Sequence, residues 1–292
     1  MVAPRGWEDA VERVYRRHGP GSLDSDPLQF PRRFRRADDR EIAAFFAASL
    51  SYGNARAVCS SLERVFAWTG PHPARFVRKF EPEREGSALG GFRHRWSSAA
   101  DLVRLAVMLR GVLEQHGTVE TLFGRGIVRG SGGRVDLAAS IGRFRRAALA
   151  YDEAPAADAD DASRPGARYF FPDPLTSAAK RTTMFLRWVV RPDDGLDLGL
   201  WDCLHPRDLV APLDTHMFLI ARRLRLTRRK TPAWRAALDL TRGLRRLDPE
   251  DPVKYDFALS RLGIVEGCPR HRRSEPCELC GLLGRTGRRR RP

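Results

Sequence analysis

No apolar run in this chain approaches the roughly 20 residues that a membrane-spanning helix needs, so no membrane partner is expected. The first residues, MVAPRGWEDAVERVYRRHG, lack the unbroken apolar stretch of a signal peptide and read as an amphipathic helix, which makes a cytoplasmic location the expectation. Cysteine is scarce and odd in number: Cys59, Cys203, Cys268, Cys277 and Cys280 are all there is. Such a set is unlike the disulfide framework of a secreted domain. Lysine is scarcer still. Lys79, Lys180, Lys230 and Lys254 stand alone, so 48 of the 52 basic residues are arginine. Strand-like alternation is rare and no internal repeat is evident, which argues against sheet and solenoid architectures.

What is present is charge of one sign. The formal net charge is +16 and the isoelectric point about 10.7. A codon bias towards arginine exchanges one cation for another; it does not create a surplus. An excess of this size favours a polyanionic partner, because each phosphate neutralised releases condensed counterions. Apolar residues make up 42% and charged residues 30%, the balance of a globular protein, and 292 residues suffice for one large domain or two lobes sharing a cleft.

The apolar period is helical nearly throughout. Asp38 and Asp39 precede Ile42, Phe45, Phe46 and Leu50, which recur at three and four residues. Ser51-Tyr52-Gly53-Asn54 breaks that pattern before Val58, Leu62 and Phe66 resume it. A further helix follows a Ser/Asp cap and carries Leu102, Leu105, Leu109 and Leu113 up to Gly117. Two stretches are not helical: the Gly-rich, basic residues 124–134, and an insertion over 151–168 too rich in Ala, Asp and Pro to build a core. The tail GRTGRRRRP, over residues 284–292, reads as a disordered basic arm.

Chemistry concentrates between Tyr169 and Leu226. The segment AAKRTTMFLRWVVR is apolar around most of its surface and predicts a buried helix capped near Ser177, with Lys180 in its first turn. An ammonium there opposes the helix macrodipole, so the position suits a nucleophilic amine as well as an ordinary helix-start lysine. Asp214 opens the next helix, PLDTHMFLIARRL, where one carboxylate oxygen can cap the helix while the other faces a cleft. His216 and Trp188 read as packing residues or as supports for the acting groups rather than as actors themselves.

Lys180, the helix start Leu213-Asp214-Thr215-His216 and the cysteine-rich GCPRHRRSEPCELC from Gly267 together resemble the helix-hairpin-helix/Gly-Pro-Asp (HhH-GPD) DNA glycosylases, which include endonuclease III. More narrowly, FPDPLTSAAKRTTMFLRWVVR and DPEDPVKYDFALSRLGI resemble the DUF2400 family over most of the chain. The resemblance implies an all-α fold in which residues 1–292 form one unit of two helical lobes around a central cleft. It implies a DNA-repair glycosylase, possibly also an AP lyase, that is a monomer associated with the nucleoid and acts on double-stranded DNA or another nucleic acid, excising a damaged base such as an oxidised purine. Lys180 and Asp214 would be the catalytic pair, Tyr52 or Asn54 would fill the space of an everted base, and Arg181 and Arg187 would contact phosphates. In the loop 268–280, Cys268, His271, Cys277 and Cys280 would hold zinc or a degenerate iron–sulfur site; metal-free thiols are the alternative. The chain departs from the glycosylase pattern in two ways. No glycine pair precedes Lys180, and its 34-residue interval to Asp214 is longer than in endonuclease III and nearer the archaeal 8-oxoguanine glycosylases. A non-catalytic nucleic-acid-binding module and a helical protein-interaction scaffold are the competing expectations.

Overall fold

The computed structural model describes residues 5–18, 23, 26–152 and 166–264. The protein is all-α. In chain order its helices are α1 (Trp7–Arg17), α2 (Ala37–Leu50), α3 (Ala55–Thr69), α4 (Pro73–Arg78), α5 (Pro82–Glu85), α6 (Ala99–His116), α7 (Val119–Arg125), α8 (Leu137–Leu149), α9 (Lys180–Val190), α10 (Thr215–Arg223), α11 (Trp234–Leu244) and α12 (Tyr255–Ile264). Strand structure among the described residues is confined to an antiparallel hairpin, β1 (Arg93–His94) with β2 (Ser97–Ser98), and an isolated bridge between Arg129 and Val135. No helix among the described residues is long and apolar enough to cross a membrane.

Helix α2 is the axis of the fold. Every residue from Glu41 to Leu50 is buried, and five of them are alanine or serine, whose small side chains let neighbouring helices approach closely. Its most extensive neighbour is α9, followed by α4 and α3. Two acids of α2 point into the protein rather than away from it, each towards the start of another helix. Asp39 Oδ1 accepts from the Ala74 amide of α4 at 2.9 Å. Glu41 accepts from the Val119 and Glu120 amides of α7 at 3.1 and 3.0 Å, and from Trp201 Nε1 at 2.7 Å. Amides at a helix start have no intrahelical partner, so a carboxylate delivered from elsewhere satisfies them and complements the helix dipole. Burial pushes the Glu41 carboxyl above the usual range in spite of these donors.

The expected helices around the Ser51–Asn54 corner and over residues 99–116 are present, and the Ser98 cap is reciprocal: Asp101 accepts from the Ser98 amide at 2.7 Å. Helix α9 differs from its expected start. Ser177 Oγ accepts from the Ala179 amide at 3.1 Å, yet the helix begins only at Lys180, because Ala179 takes a left-handed conformation at φ 48°. Helices α1 and α12 meet: Tyr255 of α12 stacks edge-on against Tyr15 of α1 at 5.3 Å and donates to Glu12 at 2.5 Å.

After α9, residues 191–200 fold back along the helix they have just left. The Leu198 amide donates to Trp188 O and the Leu200 amide to Val189 O, both at 2.7 Å. The turn that permits this return is Gly199, at φ 57°, where an added Cβ would lie 2.7 Å from the Asp193 backbone nitrogen. Backbone cannot move aside as a flexible side chain can. Gly199→Ala is therefore expected to destabilise the protein by about 1–3 kcal/mol, read as a fall in the denaturant midpoint at unchanged slope.

Candidate active site

Three elements deliver the polar groups of the site. The α2–α3 corner brings Ser51–Asn54, the start of α9 brings Lys180, and the start of α10 brings Asp214. Lys180 Nζ donates to the Ser51 carbonyl at 3.1 Å, tying a residue of α9 to one 129 positions earlier. Asp214 is the N-cap of α10, its Oδ1 accepting from the Met217 amide at 2.8 Å, while Oδ2 lies 3.5 Å from His216 Nδ1. Burial opposes the charged form of Asp214. The His216 ring, the charge of Lys180 and the Met217 amide outweigh it and hold the carboxyl down at about 2.

Lys180, Asp214, His216, Ser51 and Gly53 line two cavities at once. One is an open groove of about 850 Å³. The other is a narrower recess of about 290 Å³. The lysine and the aspartate thus stand where the two spaces meet.

The groove has an aromatic wall and a cationic rim. Tyr52 stacks on Trp96 at 5.2 Å, and Tyr169 meets both rings edge-on at 5.1 and 5.4 Å. The Tyr52 hydroxyl lies 2.6 Å from Ser97 Oγ and 3.0 Å from the His94 carbonyl, which fixes the ring against the hairpin. Gly53 permits that approach: at φ 95°, a Cβ there would lie 2.9 Å from Arg95 Cδ. Arg181 is buried below, its guanidinium 3.6 Å from the Tyr169 ring centroid and bonded to the carbonyls of Ser49 and Tyr169. Burial pulls this guanidinium down to about 10. Arg95, Arg145 and Arg168 also line the groove. On the loop before α9 stands Leu175, 89% exposed, the sole large exposed hydrophobic side chain among the described residues. Backbone strain gathers at the same place. Of the three described non-glycine residues with positive φ, two, Arg95 and Ala179, line the groove.

The recess is closed by α9 and α12. Met184, Trp188 and Phe257 give it apolar walls, and Asp256, Ser260, Arg187 and Arg261 join Lys180, Asp214 and His216 as polar groups on it. Asp256 Oδ2 accepts from Arg187 Nη1 at 2.8 Å. Arg187 also pairs with Asp197 at 3.1 Å, and Asp197 with Arg191, which reaches Asp251 at 2.9 Å. Burial pushes the Asp256 carboxyl up to about 7; Arg187 and Lys180 work against that rise, and Asp214 and Asp197 add to it.

Of the residues singled out from the sequence, Lys180, Asp214, Tyr52 and Arg181 come together on the groove. Asn54 lines the recess and caps α3, its Oδ1 accepting from the Arg56 amide at 2.9 Å. Arg187 is not where a surface phosphate contact was expected: it is 2% exposed and its guanidinium is spent on Asp256 and Asp197. Trp188 is buried as a packing residue, whereas His216 faces both cavities. Cys268, His271, Cys277 and Cys280 lie outside the described residues, as does most of the 151–168 insertion. No cluster of His, Cys, Asp or Glu able to hold a metal ion occurs among the described residues. Asp256, Tyr169, Trp96 and Arg95 were missed from the sequence. Asp256 alone left a signal there, as an acid set between Tyr255 and Phe257 at the start of the largely apolar YDFALSRLGI.

These features define a helical protein with a basic, aromatic-walled groove and a lysine–aspartate pair at the mouth of a recess. The chain belongs to the family described as "Protein of unknown function (DUF2400)", whose model matches residues 26–265. No curated protein and no solved structure matches it.

Proposed function

We propose that this protein is a DNA glycosylase with lyase activity, using Lys180 as nucleophile and Asp214 as the carboxylate that stabilises the sugar. The observation that carries this reading is the position of the pair: an amine and an ionised acid from different helices share the junction of a groove and a recess. The groove suits a sugar-phosphate backbone, with Arg95, Arg145 and Arg168 as phosphate contacts and Tyr52 and Tyr169 as flat faces for a base or sugar. The recess, lined by Met184, Trp188 and Phe257 together with Asp256, Ser260 and Arg261, suits a ring turned out of the duplex. Asp214, ionised at every working pH, stabilises the positive charge that develops on the sugar as the glycosidic bond lengthens. Lys180, as the free amine, attacks C1′; the ring leaves with the bonding electron pair, and the adduct opens to a Schiff base. In sequence, Lys180 and the Leu213–His216 helix start resemble those of the HhH-GPD glycosylases, while the glycine pair of their hairpin is absent before Lys180.

Borohydride trapping tests the pair directly. The native protein is expected to form a covalent adduct with duplex DNA carrying an abasic site, and Lys180→Ala to lose it by at least about 10²-fold. An adduct that persists in the variant, or that never forms with the native protein, would overturn the reading. The arginine rim and aromatic wall by themselves also suit a non-catalytic nucleic-acid-binding module, for which salt-sensitive binding unchanged in Lys180→Ala and Asp214→Ala is the signature.

A further inference from the structure

The recess contains a carboxyl group that the chemistry above leaves idle. Asp256 sits on the inner face of α12, and one oxygen is committed to Arg187. The other makes no hydrogen bond among the described residues and is the one left for an occupant of the recess. Charged and titratable groups surround it from each element packed there: Lys180 and Arg187 of α9, Asp214 at the start of α10, Asp197 of the returning segment, and Arg261 of its own helix, itself paired with Asp26 at 2.5 Å. Asp214 and Asp256 are therefore two carboxyl groups on one cavity in opposite environments. Asp214 is partly exposed, caps a helix and meets a lysine and a histidine; Asp256 is buried, gives one oxygen to Arg187 and lies near the acids Asp214 and Asp197. Two carboxyl groups so divided split the labour of acid and base between them.

We propose that Asp256 is the proton donor of the site, protonating the ring that departs into the recess. The inference rests on the glycosylase reading and adds to it a catalytic residue and a substrate requirement. The balance is simple. The C1′–N bond breaks and its electron pair leaves with the ring. The proton of Asp256 goes to a ring nitrogen or oxygen, leaving Asp256 as the carboxylate beside Arg187. The Lys180 nitrogen forms the new bond to C1′ and becomes a cationic secondary ammonium. The substrate is thus a nucleobase that presents a hydrogen-bond acceptor towards α12 and leaves poorly without protonation. A ring that is already a stable anion would gain nothing from Asp256.

The sign of the pH dependence follows from the same group. The donor must hold its proton, and Asp256 is pushed up to about 7, so its contribution to base release is full below that value and is lost as pH rises through it, against the opposite demand of Lys180 for a free amine. Asp214 contributes no competing limb in this range, since it stays ionised down to about 2.

The test separates this inference from the one beneath it. Base release is measured from duplexes containing single 8-oxoguanine, hypoxanthine or uracil residues, between pH 5.5 and 9, alongside borohydride trapping on abasic DNA, which has no ring to expel. Asp256→Asn is expected to slow base release by on the order of 10²-fold or more below pH 7, with the native-to-variant ratio shrinking as pH rises through 7. Trapping on abasic DNA should fall less than tenfold, which also shows that the variant folds. Asp256→Glu should restore part of the rate and of that pH-dependent ratio. Base release and pH profile that survive in Asp256→Asn would overturn the proposal. So would a parallel collapse of base release and trapping, which marks a structural role, or intact trapping with no base released from any of the duplexes. Failure of trapping in the native protein would instead remove the glycosylase reading, and this proposal with it.

Discussion

Arg187→Ala is expected to be among the most damaging single changes in the protein, costing about 3–5 kcal/mol of folding stability. The arginine is 2% exposed and Asp197 is completely enclosed, so neither partner can recover its lost interaction from water. Arg191 would still hold Asp197, but Asp256 would be left with no guanidinium at all. An unpaired buried carboxylate must either stay charged at great cost or take up a proton. Equilibrium unfolding in denaturant measures the loss. Pairing Arg187→Met with Asp256→Leu should cost less than Arg187→Ala alone, because removing both charges leaves none uncompensated. A single-variant loss below about 1 kcal/mol would mean that the network is not held by charge.

The second large effect belongs to Asp214→Asn. Asparagine caps a helix as well as aspartate does, so stability should change by less than about 1 kcal/mol. The negative charge facing Lys180 and the groove is lost, and base release is expected to fall by on the order of 10²–10³-fold, the range for removing one group that stabilises transition-state charge. Since His216, Lys180 and the Met217 amide outweigh burial and leave the native carboxyl ionised down to about 2, the deficit should be equally large at pH 5.5 and pH 8. Activity in Asp214→Asn equal to that of the native protein would reduce the residue to its capping role.

The sequence made the helices legible because their apolar residues recur at three and four and their caps are local. Ser98 and Asp101 are three positions apart, and Asp214 caps an amide only three residues on. Lys180 and Asp214 stood out for the same reason, each marking a helix start. What stayed hidden depends on distance along the chain. Arg187 reads as a surface cation until Asp256, 69 residues later, is seen to pair with it. Trp96 and Arg95 belong to a hairpin too short to show alternation, and their place beside Tyr52 is fixed by His94 and Ser97. The left-handed turn at Ala179 carries no sequence mark, since alanine is not a residue chosen for that conformation. It delays the start of α9 until Lys180 and so makes the lysine the first residue of the helix rather than the third or fourth.

The chain of ion pairs beneath the recess bears on how relatives of this protein can diverge. Arg187, Asp197, Arg191 and Asp251 join α9, the segment that doubles back on it, and the approach to α12 into one bonded unit. Removing Arg187 strands Asp256 and removing Arg191 leaves Asp251 without its guanidinium, so that floor favours coordinated replacements at the two arginines. Met184, Asn54 and Ser260 line the same space and belong to no ion pair. Altered substrate preference within such a lineage would therefore arise first on those three walls, one ordinary mutation at a time, while the ionic base beneath is inherited whole.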